Sequence, residues 1–514
     1  MPNKGNSIAK SAFLVTAMML AFKMFAFVKQ AVIAYYYGAT LQTDTYFIAW
    51  GFVSGVSEAI VKSLSVSLVA IYTGIRVRDG KEKASKLING LLEVLLPIFT
   101  VLFIVIIVGS PIIAKVLAPS YSGESSGLLT SYIRILAPVL LFGCFELVFC
   151  AMLDSHKSFY IPRLHSFIYS LIVIIACIFL SKTLGVNALV VAQYASNVVF
   201  TFMLICAVRR YHTYFWVKLN EIPELKSIIV TAIPLFIGNS ALQINQIVDK
   251  SITSVLGDGA ASSLSYCHTL EQFVTNIMIV NIGNVIFANF AEFVAKEEKE
   301  RIKDTLSKAI NYMIILLFAI SVITIVFSKD IVSIVYYRGS FSYNAVILTS
   351  MALIGYAFSF PFVAVRNLTI KSLYAHKDTK HPMIASIITI IINIILSITL
   401  SRFIGIMGVS LATSIAALVG MTINAKALVM YLPDYKYSDH FKLFLRCMPA
   451  IIVLAVYSFL LEKYLLVGAL LKFIIATITG LALYYLILSI CGIKEIKQIS
   501  GLLKRKVQIL KGRT

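Results

Sequence analysis

The chain has 514 residues, of which 59% are hydrophobic and only 13% charged. A soluble globular protein carries about a quarter charged residues, and one this long would divide into roughly three domains joined by polar linkers. A soluble enzyme, a disordered chain and a secreted disulfide scaffold are thereby excluded. Apolar runs of about twenty residues, the length that crosses a ~30 Å hydrocarbon core, recur from end to end.

The net charge of +21 comes from 45 Lys and Arg against 24 Asp and Glu. These bases do not form the single patch that nucleic acid needs; they lie in short clusters between apolar runs, as in cytoplasmic loops. No nucleic-acid partner is expected. The seven cysteines sit in or beside apolar runs and never pair as CxxC, which suits small membrane hydrophobes. The seven histidines show no ligand spacing, so no metal is expected. Without a P-loop or a GxSxG motif there is no residue set for ATP hydrolysis or acyl transfer. The chain reads as a non-enzyme without a cofactor, apart from a coupling ion of unknown identity.

In chain order, about fourteen spans are predicted. The first six cover about 11–37, 45–72, 88–109, 130–153, 160–181 and 186–208. The next six cover about 227–256, 261–293, 305–327, 345–373, 383–401 and 405–430, and the last two 444–461 and 465–491. The first stretch has no A-x-A site, so it is an uncleaved helix and not a signal peptide. With the N-terminus inside, about 32 of the 45 bases fall in cytoplasmic segments. That predicts an even number of spans in the cell inner membrane with both termini cytoplasmic.

A repeat is visible. Leu153-x-x-His156-Lys157-x-x-x-x-Pro162 recurs as Leu373-x-x-His376-Lys377-x-x-x-x-Pro382, an offset of 220 residues that Gly185 and Gly405, and Tyr46 and Tyr266, also keep. The expected architecture is all-α: residues 1–220 an N-terminal six-helix lobe and 221–435 a C-terminal six-helix lobe in the same orientation. Residues 436–491 add two helices, and 492–514 a cytoplasmic tail. In that tail Ile493, Ile496, Ile499, Leu503, Val507 and Leu510 keep helical spacing among lysines and Arg505, as for a helix on anionic membrane lipid.

Charge inside hydrocarbon is expensive, so intramembrane ionisable residues mark a pathway. Lys23 and Lys29 lie in the first span. Glu58 and Lys62 form an i,i+4 pair in the second, either structural or part of a site. In the seventh, after Pro234, Asn239, Gln243 and Lys250 form one polar stripe, beside Asn245 and Asp249. Span eight carries His268, Glu271, Asn276, Asn281 and Asn284, span ten Arg366 and Asn367, and span four Glu146. Interhelical hydrogen bonding accounts for single amides. The clustering in spans 1, 2, 7 and 8, equivalent helices of the two lobes, points to a cavity where they meet, with lysines suited to an anionic ligand.

Two stretches carry a resemblance. Lys23-Met-Phe-Ala-Phe-Val-Lys29-Gln-Ala-Val-Ile-Ala, followed by Tyr37-Gly38-Ala39 and Thr43-Asp44-Thr-Tyr-Phe47-Ile-Ala49, resembles the start of the MviN/MurJ lipid II flippases of the MOP exporter superfamily. Pro234 through Asn239, Gln243, Ile244, Ile247, Leu256, Gly259, Ser263, Leu264, Tyr266 and Leu270 resembles that family's seventh and eighth helices. The resemblance implies paired six-helix lobes around a cationic cavity, alternating access, and a groove for the lipid tail at the two extra helices. It places the family's first-helix arginines on Lys23 and Lys29 and its acid on Asp44. The arginines of its second and eighth helices fall on Ser57 and Thr269, the glycine between the first two bases is Ala26, and Lys62-Ser63 replaces an E-G-A turn. Lysine keeps charge without the bidentate geometry of arginine.

The expected function is a flippase for a polyprenyl-pyrophosphate-linked saccharide, foremost lipid II, with Lys23, Lys29, Asp44, Glu58, Asn239, Gln243, Glu271 and Arg366 as substrate-binding residues. The rivals are an O-antigen or capsule-type polysaccharide flippase of the same superfamily, a multidrug/cation antiporter, and a scaffold that recruits cell-wall synthesis proteins. The antiporter would want twelve helices and an acid-dominated cavity.

Overall fold

The first helix, α1 (Lys4–Tyr37), ends where Gly38 takes φ +62°, a conformation that costs glycine little. Thr40 then caps α2 (Leu41–Leu117) in a reciprocal box with Thr43, each hydroxyl accepting from the other's amide. At 1.5 Å per residue the 77 residues of α2 extend roughly 115 Å, several times a bilayer core. Gly80, at φ 86° and ψ −175°, interrupts it. The expected spans 45–72 and 88–109 lie on either side of that break.

The protein is described as a computed structural model covering residues 4–214, 224–280, 283, 286–287, 290, 292–294 and 296–496. Its remaining helices are α3 (Glu124–Leu136), α4 (Leu140–Ser155), α5 (Tyr160–Leu184), α6 (Asn187–Val208), α7 (Glu224–Ser254) and α8 (Ala260–Val274). They continue with α9 (Lys299–Val326), α10 (Ser328–Tyr336), α11 (Tyr343–Ala357), α12 (Phe360–Ala375), α13 (Lys380–Ile404), α14 (Ile406–Val429), α15 (Tyr437–Tyr464) and α16 (Ala469–Ile490). Among the described residues every element is helical.

Nine of the described helices are long and apolar enough to cross a membrane, or eleven when two bent pairs each count as one span. This is fewer than the fourteen expected: α2 counts once although it holds two expected spans, and α1 and α8 are not among those counted. One bend, of 44°, follows Ile233 in α7, where Pro234 lacks the amide hydrogen that would continue the ladder. The other, of 46°, separates α11 from α12. Phe179, Ile391, Phe459 and Ile478 stay exposed on outward faces of α5, α13, α15 and α16. Apolar faces of this extent are stable against lipid and not against water. The chain is a multi-pass membrane protein.

The 220-residue repeat is present in the backbone. Lys157 and Lys377 both adopt positive φ, 60° and 63°, directly after the helices α4 and α12. Ser158 N–H donates to Leu153 O at 2.9 Å, and Asp378 N–H to Leu373 O at 3.0 Å, the wide closing bond of a helix C-terminus. Pro162 and Pro382 are each the third residue of the next helix, where an amide has no intrahelical partner. Gly185 and Gly405, at φ 55° and 59°, close α5 and α13 by donating to Ser181 O and Ser401 O, each at 3.0 Å.

The chain forms two compact units. Unit 1 comprises residues 1–266 and 338–345, and unit 2 comprises 267–337 and 346–514. The repeat boundary is a boundary between chain copies and the unit boundary one between packed bodies; α7 opens the second copy yet packs in unit 1. In unit 2, α9, α12 and α14 share a core that includes Leu306, Ile310, Leu317, Phe360, Leu368 and Leu428. The α15–α16 hairpin packs on α9 through Phe327, Cys447, Leu454 and Leu488, and Tyr484 donates its hydroxyl to Ile315 O at 3.0 Å. Lys472 and Asp330, 3.7 Å apart and mostly shielded, tie α16 to α10.

The start of the tail corrects the sequence reading. Ile493 and Ile496 are buried in the core around Phe327 and Leu488, and Glu495 accepts from Asn311 Nδ2 at 2.6 Å. Those two isoleucines therefore face protein and not lipid, because the first turn after α16 folds back onto α9. Ile499, Leu503, Val507 and Leu510 lie outside the described residues.

Candidate functional site

Three of the six expected site residues in unit 1, Glu58, Asn239 and Gln243, gather along one antiparallel seam between α2 and α7. Asn239 Nδ2 donates to Ser63 Oγ at 3.0 Å, Gln243 Nε2 to Glu58 Oε2 at 3.4 Å, and Lys250 Nζ to Phe47 O at 3.0 Å. The spacing of 4 and 7 residues thus does put these three side chains on one face. Small residues on α2 let that face approach. A Cβ at Gly51 would lie 2.4 Å from Lys250 Nζ, and one at Gly55 3.4 Å from Gln243 Oε1. Glu58 also pairs with Lys62, and both remain about half exposed. Asn245 and Asp249 lie off the stripe, 3.4 Å from each other.

The α1 cations have a different setting. Lys29 Nζ stands 4.4 Å from the ring centroid of Tyr169 on α5, a cation–π contact. Phe22 and Phe25 pack on Phe167 and hold α1 against α5. Neither Lys23 nor Lys29 makes an ion pair with any described carboxylate. One turn before Tyr169, His165 Nδ1 lies 3.3 Å from Glu146 Oε1 of α4.

Asp44 is not on this polar surface. It is fully buried, and its two oxygens accept the N–H groups of Gly259 and Ser262, each at 2.6 Å. These amides open α8, so the carboxylate caps that helix with charge-assisted bonds. The turn it holds is close-packed. A Cβ at Gly259 would meet Ala39 O at 2.7 Å, and Tyr266 donates to Gly38 O at 2.8 Å. The segment 338–345 docks there as well: Ser340 N–H donates to Tyr35 O at 2.8 Å, and Phe341 stacks edge-on to Tyr266.

Two expected residues belong to unit 2. Glu271 accepts from Thr275 Oγ1 at 2.6 Å and lies 3.3 Å from His268 Nδ1. Arg366 on α12 packs against Gly420 of α14, where an added Cβ would lie 3.2 Å from Arg366 Cδ, and it makes no ion pair with a described residue. Asn276 donates to its own helix at Gln272 O. Asn367 lies against Gly283, where a Cβ would sit 2.4 Å from its Oδ1. Asn281 and Asn284 lie outside the described residues.

Sequence reasoning missed His165 and Tyr169 and left Lys250 out of the substrate set. A histidine and a tyrosine four residues apart in an apolar span were the available signal for the first two. Nothing in the sequence marked that Gly51 makes room for the Lys250 ammonium.

A family model described as lipid II flippase MurJ matches residues 33–479. The chain belongs to the lipid II flippase MurJ family. It is 25% identical over 421 residues to a probable lipid II flippase MurJ of Buchnera aphidicola, covering 80% of this chain and 81% of that one. It is 20% identical over 421 residues to the lipid II flippase MurJ of Burkholderia cenocepacia, covering 80% and 82%. Its fold is similar to that of a solved lipid II flippase MurJ in an inward closed conformation, with TM-score 0.80, 22% identity, and 93% and 98% of the two chains covered. An inward-facing multidrug-resistance MATE transporter of the MOP superfamily shares the fold at TM-score 0.67 and 15% identity, with 80% and 94% covered.

Within the MurJ fold, the position that resembles the second-helix arginine has a structural setting. Ser57 faces α4 so closely that a Cβ on Gly143 would lie 2.5 Å from its hydroxyl. A guanidinium at 57 would have to leave this contact.

Proposed function

We propose that the chain translocates a polyprenyl-pyrophosphate-linked saccharide, foremost lipid II, from the inner to the outer leaflet of the cytoplasmic membrane by alternating access, with both termini cytoplasmic. The observation that carries this reading is a pair of intramembrane lysines on α1 without a carboxylate partner among the described residues, in a chain that the MurJ family model matches over residues 33–479. An unpaired ammonium in a low-dielectric site is costly by itself and is offset by an anion such as a pyrophosphate. Gln243 and Asn239 present amides along the same unit and suit a sugar headgroup. Transport makes and breaks no covalent bond, and an outward-moving anion is driven by a potential that is negative inside.

The test is rescue of a bacterium depleted of its own lipid II flippase. The wild-type chain restores growth, and Lys23→Ala with Lys29→Ala abolishes rescue at equal membrane levels, whereas Arg at one or both positions is tolerated. Rescue by the double alanine variant would remove the α1 site. A second reading, a capsule or O-antigen type polysaccharide flippase, is favoured by Ser57 standing where the family's arginine is expected. Restored capsule export in a polysaccharide-flippase mutant, without lipid II rescue, would select it.

A further inference from the structure

Unit 1 holds a pair of ionisable side chains that the headgroup reading leaves unused. Glu146 of α4 and His165 of α5 face each other within the apolar spans, carboxylate oxygen to Nδ1 at 3.3 Å. The imidazole stacks on Phe200 of α6, centroids 4.6 Å apart and planes 20° from parallel, which fixes its orientation. Its second nitrogen, Nε2, is buried without a hydrogen-bond partner. One turn further along α5, Tyr169 holds the Lys29 ammonium over its ring. The charges that act on His165 are those of Glu146 on α4, Lys29 on α1 and Glu58 on α2.

The carboxylate oxygen opposite Nδ1 calls for a proton between them. With one proton the imidazole is neutral, Nδ1–H donates to an ionised Glu146, and the pair carries a charge of −1. A second proton, taken from water onto the Nε2 lone pair, gives imidazolium and carboxylate with a net charge of zero; no other bond forms or breaks. Nε2 is the atom left free for it. In a low-dielectric site the two states differ strongly in what they do to a neighbouring cation and its anionic ligand.

We propose that Glu146 and His165 form a proton-binding pair whose charge state sets how strongly Lys29 holds an anionic headgroup, an inference that rests on the reading of Lys29 as a headgroup contact. Unprotonated, the pair competes for the ammonium and repels the anion. Protonated, it does neither. Proton and anion therefore bind with positive coupling, and by linkage each raises the affinity for the other. This sign makes the proton a co-bound ion and not an exchanged one, so the outward drive remains with the membrane potential.

The full chain in nanodiscs is titrated with undecaprenyl pyrophosphate at about pH 5.5 and about pH 7.5. Wild type is expected to bind about fivefold or more tightly at the lower pH, a coupling of ordinary size. Glu146→Gln and His165→Gln each flatten that ratio while still binding; the probe's own titration is common to all three and cancels. Separately, pH-difference infrared spectra of the ligand-free chain should show an imidazole band that is missing from His165→Gln. A wild-type pH ratio in both variants, or a titrating band unchanged in His165→Gln, overturns the proposal. If folded wild type binds no probe at either pH, the flippase reading and the coupling both fall, and the band alone then shows whether the pair still takes up a proton.

Discussion

The turn after α4 and the turn after α12 have the same backbone and opposite histidines. In the first, Arg76 Nη1 lies 2.8 Å from His156 Nδ1 and Tyr72 Oη 3.1 Å from Nε2, with the ring stacked 3.9 Å from Tyr211. Arginine can only donate, so Nδ1 accepts and the proton sits on Nε2. In the second, His376 Nδ1 lies 2.8 Å from Ser372 O, an acceptor, so the proton sits on Nδ1; its ring meets Tyr431 at 5.0 Å. The repeat preserves φ, caps and the tyrosine 55 residues on. It does not preserve the tautomer: His156 is set by Arg76 and Tyr72 of α2, whereas His376 bonds back to a carbonyl of its own helix.

The same contrast separates the two units. In unit 1 the intramembrane side chains of α2 and α7 find partners along a glycine-lined seam. In unit 2, Arg366 lies beside Gly420 without a described ionic partner.

The largest break on the structural side is Asp44→Ala. It leaves two buried amides without their acceptor and should cost about 3–5 kcal/mol, read from denaturant unfolding in detergent. Asp44→Asn keeps one acceptor and should cost less; equal losses would mean that a neutral acceptor recovers nothing and that the charge at the α8 terminus carries the effect. Gly51→Val should come next. Its side chain enters the space of the Lys250 ammonium, a displacement worth about 1–3 kcal/mol. The double variant Gly51→Val with Lys250→Met should recover part of the loss, and no recovery would separate the two residues energetically.

The histidine comparison is broken by pH. Burial first, then the charges of Arg76, Arg210 and Lys81, push His156 down to about 4 from its ordinary range near 6.5. Between those values the unfolded chain binds a proton that the folded chain refuses, so stability falls as pH falls from about 6.5 to about 4. His156→Gln should flatten that slope in thermal unfolding. The smallest effect sharpens the likeness: Lys157→Gly and Lys377→Gly each relieve a left-handed φ and should each raise stability by about 0.5–1 kcal/mol. Unequal gains would show that the two turns differ in backbone strain as well as in the partners of their histidines.

Much of the seam was legible before any tertiary contact was known. Asn239, Gln243 and Lys250 stand at helical spacing, and all three reach α2. Asp44 was legible only as a position in the family's pattern; that its carboxylate is occupied by Gly259 and Ser262 requires the close approach of a turn 215 residues away. The Glu146–His165 pair was out of reach for the same reason, since nothing in either span says that the two side chains face each other.

By itself the sequence determined the membrane class, the repeat and the places where helices end, because hydropathy, glycine and proline act over a few residues of chain. The tertiary structure alone decided which charges are paired and which are free: that Ile493 and Ile496 turn inward, that α7 packs in unit 1, that Lys250 rests on a backbone carbonyl. Those outcomes depend on the distance between helices. A single absent Cβ, at Gly51 or Gly143, sets that distance.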